Sequence, residues 1–201
     1  MAKLKAPLLS LGASGQIGKS IVFFPWKGLD VAREYVVPAN PQTTLQITQR
    51  TYFENAVNDI HAAQAQALRP LDEIDKSALA LWGSCYPTPR TWFNQAIKGL
   101  VDQQVLLALR EFVRDGTVTP GVDQLVLDFQ LDHNNLAVAR FYYGLTKTAL
   151  ISWIAAVKVG STMTATIAGL TTGLKYYVQL RSVTGGISHP YRSGIYSGVP
   201  T

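Results

Sequence analysis

The spacing of hydrophobic residues changes once along this chain, near residue 117, and that change constrains the fold more than any other feature. Between residues 40 and 115 the apolar residues recur at helical spacing. After residue 117 they recur at every second position, as in Leu125, Leu127 and Phe129. Helices followed by short strands indicate a mixed α+β fold whose C-terminal part is an antiparallel β-sandwich.

Three domains are predicted from this pattern. Residues 1–39 form a β-arm or hairpin, because Ser20 to Phe24 is rich in β-branched and aromatic residues and the Pro-Trp-Lys-Gly segment at 25–28 is typical of a turn. Residues 40–116 form a small helical domain. Residues 117–201 form the β-sandwich.

Four helical segments are expected inside the helical domain. Asn40 is a good N-cap, and Pro41 fits the first position of a helix. A second helix covers about residues 71–82. Thr88-Pro89 gives the same start signal for a third helix, and a last helical piece covers about residues 103–114.

The triplet Gly18-Lys19-Ser20 is similar to the end of a phosphate-binding P-loop. Such a loop needs a glycine five positions before Gly18 and a helix directly after the triplet, so that backbone amides point at the phosphates. Ala13 occupies the glycine position, and the segment IVFFP that follows has a strand pattern closed by a proline. The triplet is therefore interpreted as a turn, and nucleotide binding is not expected.

Charge is sparse in this sequence and unevenly distributed. Charged residues make up 15% of the chain, against about 25% in typical soluble domains. The formal net charge is +5, yet no acidic residue follows Asp132. No two Lys or Arg residues are adjacent, so nucleic acid is not an expected partner. A surface poor in charge suits contacts with other proteins.

No catalytic, metal-binding or cofactor-binding group is expected. Asp132 and His133 are neighbours whose side chains would face opposite ways on a strand, which suits neither a catalytic dyad nor a shared metal. Cys85 is the single cysteine and is expected to be a small core side chain. The four tryptophans are assigned to cores and hairpin packing, with a sugar-binding platform as the alternative.

Residues 15–50 combine a short Gly-Lys strand, a Trp-Lys-Gly turn and an Asn-Pro-x-Thr-x-x-Gln-x-x-x-Arg segment that opens a helix. The positions that carry this pattern are Gly18, Lys19, Trp26, Lys27, Gly28, Asn40, Pro41, Thr43, Gln46 and Arg50. The pattern resembles a group of structural proteins encoded by tailed bacteriophages. The helical segment with Trp82 and the run TPRTWFNQA at 88–96 are also similar, so the resemblance covers about half of the chain.

Residues 169–186, GLTTGLKYYVQLRSVTGG, carry a second pattern. Its matching residues are Leu170, Gly173, Tyr176, Val178 and Leu180. They resemble the Leu-x-Pro-Gly-x-x-Tyr-x-Val-x-Val segment of fibronectin type III domains, with Thr172 in place of the proline. The resemblance implies that the Tyr176 hydroxyl hydrogen-bonds back to the backbone, and Gly185-Gly186 predicts a tight hairpin. The short interval from Trp153 to Leu170 predicts that the middle strands are shortened or missing.

Together the resemblances imply a non-enzymatic bacteriophage virion protein that assembles in the host cytoplasm and has no cofactor and no membrane partner. We expect an accessory capsid protein that decorates or cements the major capsid lattice. Its N-terminal half would anchor it, and its fibronectin-like domain would project with a polar, uncharged outer face. A tail or neck component is the first alternative. The second is a carbohydrate-binding adhesion module that uses exposed loop aromatics such as Tyr191 or Tyr196.

The expected partner is the major capsid protein, or a tail or neck protein of the same virion. Many copies, or a homo-oligomer, are expected in the assembled particle. The basic N-terminal segment suits strand addition to a neighbouring protein or insertion into a groove. The candidate contact residues are Lys19, Phe23, Trp26, Lys27, Arg33, Tyr35, Asn40 and Arg50.

Overall fold

A computed structural model describes residues 2–4, 14–37, 39–40, 42–107, 110–184 and 187–201. Over these residues the fold is mixed α+β, with three helices and three antiparallel sheets, as the change of hydrophobic spacing predicts. The chain divides into two compact units, an N-terminal unit of residues 1–43 and a main unit of residues 44–201.

The N-terminal unit is a four-stranded antiparallel sheet. Its strands are β1 (Ala2–Leu4), β2 (Gly15–Ile17), β3 (Ile21–Trp26) and β4 (Leu29–Glu34). Their order across the sheet is β1-β4-β3-β2, so the predicted arm or hairpin has further strands beside it. Lys27 and Gly28 form the predicted turn and both have positive φ angles, 49° and 76°. Gly18 to Ser20 is also a turn, and a strand follows it rather than a helix, as the sequence predicts.

Three helices begin the main unit. They are α1 (Thr44–Gln64), α2 (Glu73–Gly83) and α3 (Trp92–Leu107). The prediction that Asn40 caps α1 is wrong, because the helix begins at Thr44 and Thr43, which is also a capping type, directly precedes it. Pro41 lies outside the described residues. The predicted start of α3 at Thr88-Pro89 is also wrong. Thr91 caps this helix instead, with its hydroxyl accepting from the Asn94 N–H at 3.3 Å.

In the described residues, the predicted fourth helical piece at 103–114 is not a separate helix: its first part belongs to α3 and its last part to a strand. Helix α3 continues to Leu107, and strand β5 (Val113–Gly121) begins six residues later. Val113 pairs with Leu131 in the neighbouring strand, and both side chains are buried. Tertiary pairing therefore decides the conformation here against a local pattern that also fits a helix. The predicted domain boundary at residue 116 falls inside β5, and the division into a helical and a β domain stays a prediction.

The rest of the main unit forms two antiparallel sheets. Its further strands are β6 (Gln124–Leu131), β7 (Ala139–Gly144), β8 (Ser152–Ala155), β9 (Val157–Val159), β10 (Thr162–Ala168), β11 (Tyr176–Thr184), β12 (Ile187–Arg192) and β13 (Tyr196–Gly198). The first sheet has the order β5-β6-β10-β9. The second has the order β12-β11-β7-β8, with β13 also pairing with β11. The middle strands β8 and β9 are short but present. Gly185-Gly186, the predicted hairpin, lies outside the described residues.

Side chains from both sheets and from the helices form one hydrophobic core. Leu125, Leu127 and Phe129 are fully buried on β6, as the alternation predicts. The Phe129 ring meets the Phe141 ring of the other sheet edge to face, with centroids 5.0 Å apart. Each such buried side chain contributes roughly 1.5–3 kcal/mol relative to an exposed one, so this strand is a main source of stability.

The predicted hydrogen bond of Tyr176 is confirmed. The Thr171 N–H donates to the Tyr176 hydroxyl at 3.1 Å, five residues back along the chain. This bond fixes the loop that leads into β11, since the side chain ties the strand's first residue to the turn before it.

We expect the substitution Tyr176→Phe to lower the free energy of unfolding by about 1 kcal/mol, because it removes this bond and leaves the ring in place. The matched control is Tyr177→Phe. The Tyr177 ring lies 5.4 Å from the Lys175 ammonium, and that contact does not need the hydroxyl. Urea unfolding of both variants measures the difference. Equal stabilities of the two variants would contradict a role for the Tyr176 hydroxyl.

Candidate functional site

The predicted contact residues of the N-terminal unit lie at two ends of its sheet. Lys19 and Lys27 occupy the two turns at opposite ends of β3. Tyr35 follows β4, and its N–H donates to the Ser20 carbonyl at 2.8 Å, which places it beside the Lys19 turn. Asn40, which is exposed, precedes α1. Arg50 is exposed on α1 and belongs to the main unit.

Two of the predicted contacts, Trp26 and Arg33, share one face of the sheet around Phe24, which is not among the predicted contact residues. The Phe24 and Trp26 rings meet edge to face, with centroids 6.5 Å apart. The Arg33 guanidinium carbon lies 5.1 Å from the Phe24 ring centroid. Phe23 lies on the opposite face, because neighbouring residues of a strand point to opposite sides. The sequence contained a signal for this arrangement. Phe24 is two residues before Trp26, so on a strand it shares a face with Trp26, whereas Phe23 does not.

The N-terminal unit exposes two apolar pairs, each formed across neighbouring strands. Trp26 pairs with Leu29 across β3 and β4, and the two are 53% and 46% exposed. Ile17 pairs with Ile21 across β2 and β3, and the two are 51% and 43% exposed. Among the described residues of this unit, Val31 is the one buried hydrophobic side chain. The described part of this sheet therefore has a small core and leaves large apolar side chains in water.

In the main unit, Glu111 is a buried carboxylate with complete hydrogen bonding. It is 1% exposed, and it accepts from the backbone N–H groups of His133 at 3.0 Å and Asn135 at 2.6 Å. The Gln103 amide bonds both the N–H and the carbonyl of Glu111. Burial raises the pKa of Glu111, and the two N–H donors oppose that rise. The arrangement fastens α3 to the segment before β5 and to the loop after β6.

Asp132 and His133 contact each other, contrary to the prediction that they face opposite ways. His133 Nδ1 lies 3.0 Å from Asp132 Oδ2. Both residues follow the end of β6, where the chain bends and strand alternation no longer applies. His133 Nε2 also lies 3.6 Å from Asp59 Oδ1 on α1. The Asp132 carboxylate raises the pKa of His133, and burial raises the pKa of Asp59, so this cluster is a charged link between α1 and the first sheet.

Asp75 is a second fully buried carboxylate, and it joins α2 to two strands. Its Oδ1 accepts from the Tyr196 hydroxyl at 2.6 Å and from the Gly116 N–H at 2.9 Å. Its Oδ2 accepts from the Asp72 N–H at 3.2 Å, which completes a capping box. Burial raises the pKa of Asp75 to about 7. Asp75 therefore completes the N-terminal cap of α2 and at the same time ties this helix to β5 and β13.

One functional candidate is not predicted by the spacing of residues along the chain: the outward face of the sheet β12-β11-β7-β8. Arg140, Arg181 and Arg192 lie in a row across three strands, and Tyr142 and Trp153 form the next row. We call these five residues the arginine face. The outer face of this sheet is therefore basic, and not uncharged as predicted. The sequence contained a partial signal for this face, because Arg140 and Tyr142, like Gln179 and Arg181, are two residues apart and share one side of a strand. Only the pairing of the strands places these residues side by side.

Other predicted assignments of aromatic residues are also corrected. Tyr191 and Tyr196, named as exposed loop aromatics, are 2% and 4% exposed and belong to the core. Trp82 is buried as predicted, whereas Trp153 is 50% exposed on β8 and packs in no core. The residues that the glycan-binding alternative named are therefore inaccessible to a ligand.

In the part of the chain that the structure describes, no cluster of three or more His, Cys, Asp or Glu side chains is placed to hold a metal ion. None of the helices in that part is long and apolar enough to cross a membrane. A comparison of the sequence with models of protein families and with curated proteins finds no match.

Proposed function

We propose that this protein is a non-enzymatic structural protein of a tailed-bacteriophage virion, and within the virion an accessory capsid protein that decorates the major capsid lattice. The proposal rests on the small core and the exposed apolar side chains of the N-terminal unit. This unit is compact by itself, has one buried hydrophobic side chain among its described residues, and exposes the pairs Trp26/Leu29 and Ile17/Ile21. Such apolar pairs on a small sheet favour burial against another protein.

The Trp26 face is the proposed anchor. Trp and Arg are the side chains most enriched among residues that dominate binding energy, and Trp26 and Arg33 share this face around Phe24. The proposed partner is a major capsid subunit, and many equivalent sites on the lattice make the sum of weak contacts strong. Among the described strands of this sheet, β2 is an edge strand, and an edge strand suits strand addition beside this face.

The main unit is proposed to project from the particle as a fibronectin-like domain. The strand orders support this proposal. The sheet β5-β6-β10-β9 has the order A-B-E-D of an immunoglobulin-type sandwich, and β12-β11-β7 has the order G-F-C. The tyrosine at the start of β11 bonds back to the preceding loop, as expected for that class of fold.

The first test is the location of the protein in purified particles. Heads and tails are separated, and the chain is quantified against the major capsid protein by mass spectrometry. A copy number comparable to that of the capsid subunit, found on heads, is the expected result. A few copies confined to tails or necks would replace this proposal with the tail or neck alternative, and absence from both fractions would reject a virion function.

We expect the double substitution Trp26→Ser and Leu29→Ser to weaken docking on empty capsids by about 30-fold or more, because it removes the proposed anchor from the interface. Ile17→Ser with Ile21→Ser tests the opposite face and is expected to have a smaller effect. The control is Val157→Ser with Val159→Ser, which changes two apolar side chains on β9 of the main unit that are 60% and 62% exposed. Cosedimentation with capsids measures all three.

Deletion of residues 1–43 is expected to abolish docking while the circular-dichroism spectrum keeps its helical and β signals, because the main unit is compact by itself. Docking by the truncated chain at full affinity would show that the anchor lies in the main unit. Unchanged docking by the Trp26/Leu29 variant, with loss in the Ile17/Ile21 variant, would move the anchor to the other face.

A further inference from the structure

The arginine face has a regular geometry. Arg140 on β7 lies directly opposite Arg181 on β11, and Arg181 lies opposite Arg192 on β12. One row further along, Tyr142 lies opposite Trp153 on the edge strand β8. Because neighbouring strands are about 4.8 Å apart, the three arginine side chains start within about 10 Å of one another.

Two of these arginines are stacked on the rings of the next row. The Arg140 guanidinium carbon lies 3.7 Å from the Trp153 ring centroid, and that of Arg181 lies 4.5 Å from the Tyr142 centroid. A stacked guanidinium uses its flat face for the ring, while its N–H donors lie in the plane and point away from the contact. Stacking therefore holds the donors in position to bind an oxyanion in a bidentate manner.

The third arginine, Arg192, adds a positive charge beside the two stacked arginines. Arg192 is exposed and lies opposite Arg181, and like charges directly opposite each other on a sheet are destabilising. Burial and the charge of Arg192 lower the pKa of Arg181. The Gln179 side chain accepts from Arg181 Nε at 3.0 Å, and no strand of this sheet contains Asp or Glu. The positive charge of this face is therefore not neutralised within the sheet.

We propose that the arginine face binds single-stranded nucleic acid. The three arginines would contact successive phosphates, and the half-exposed Trp153 ring would stack on an unpaired base. A flat sheet with aromatic rings and cationic side chains is a common platform for single strands, whose bases are free to stack. The sequence argued against nucleic acid because no two Lys or Arg residues are adjacent. Strand pairing removes that objection, since it aligns arginines that lie far apart in the chain.

This inference does not depend on where the protein lies in a virion. The full-length protein is titrated into a fluorescein-labelled strand of about 20 thymidines at about 50 mM NaCl, and binding is followed by fluorescence anisotropy. With three phosphate contacts, the logarithm of the association constant should fall with the logarithm of salt concentration with a slope of about −2. A peptide of about 20 glutamates, with similar charge and no bases, is measured in parallel.

Two variants and two matched controls test the proposed contacts. Arg192→Gln should weaken binding about fivefold and reduce the salt slope by about 0.7, because one phosphate contact is lost. Lys19→Gln removes the same charge from a turn of the N-terminal unit and should change neither. Trp153→Leu should weaken binding about tenfold, because base stacking and the support of Arg140 are lost, and it should leave the salt slope unchanged because all three arginine charges remain. Trp26→Leu removes an equally exposed tryptophan elsewhere and should have no effect.

Binding of the thymidine strand with these four results supports the proposal. The proposal is overturned if the strand does not bind, or if it binds the Arg192 and Trp153 variants as tightly as the unaltered protein. Equal affinity for the glutamate peptide, with no effect of Trp153→Leu on either probe, would also overturn it and assign the face to an acidic protein surface. None of these outcomes bears on capsid docking through the N-terminal unit.

Discussion

The substitution Gly194→Ala should lower the free energy of unfolding by about 3 kcal/mol, and the melting temperature by about 10 °C. A Cβ at Gly194 would lie 2.7 Å from the backbone carbonyl carbon of Ala78 and 2.8 Å from the Leu79 nitrogen. The Ile195 N–H donates to the Ala78 carbonyl at 2.9 Å, so α2 and the segment between β12 and β13 cannot separate without loss of this bond. A backbone cannot move aside as a flexible side chain does.

Gly99→Ala is the matched control. A Cβ there would lie 3.8 Å from the Trp82 ring, an ordinary contact distance, and Gly99 lies inside helix α3. Alanine is more favourable than glycine inside a helix by about 1 kcal/mol, so this variant should be slightly more stable than the unaltered protein. Thermal and urea unfolding measure both variants. A Gly194→Ala protein as stable as the Gly99→Ala protein would contradict the close packing of α2 on the strands.

The second large effect is a loss of stability as pH rises from 5 to 8. Burial raises the pKa of Asp75 from 3.8 to about 7 in the folded protein, so between these values the folded state binds more protons than the unfolded state. The free energy of unfolding therefore falls as pH rises through this range. Asp75 alone should contribute a decrease of about 2–3 kcal/mol between pH 5 and pH 8.

Three other groups act in the same direction. The pKa values of Glu111 and Asp59 are raised by burial, so the folded state favours the protonated form of each. The pKa of His133 is raised by Asp132, and its stabilising charge is present at low pH and lost as pH rises through the folded-state value. All four groups therefore predict greater stability at pH 5 than at pH 8.

Urea unfolding at pH 5, 6, 7 and 8 measures this dependence. In Asp75→Asn the side chain no longer titrates, so the fall in stability between pH 5 and pH 8 should be smaller than in the unaltered protein, even though the variant loses hydrogen bonds at every pH. Stability that is constant or rises over this range would contradict the raised pKa of Asp75. A full-sized fall retained in Asp75→Asn would assign the effect to the other three groups.

The sequence by itself determined the elements that are formed by residues close together in the chain. The alternation of Leu125, Leu127 and Phe129 predicted β6 because every second side chain is buried in the same core. The turn at Lys27-Gly28 followed from glycine's tolerance of positive φ. The bond of Tyr176 followed from a resemblance confined to one loop and one strand. In each case the residues that make the structure are near neighbours in the chain.

The tertiary structure decided what depends on residues far apart in the chain. The segment before Asp115 fits a helix by spacing, yet Val113 is a strand residue because Leu131 pairs with it. Asp75 lies in the first turn of α2, where an acid is common, but its burial beneath distant strands raises its pKa. The hydroxyl of Tyr196, 121 residues away, donates to it and opposes that rise. Arg140, Arg181 and Arg192 form one row only because three strands pair in register. The spacing of residues indicates whether a segment is a helix or a strand, but it does not indicate which other segment packs against it. That packing decides which side chains are buried, which pKa values shift and which residues form a surface.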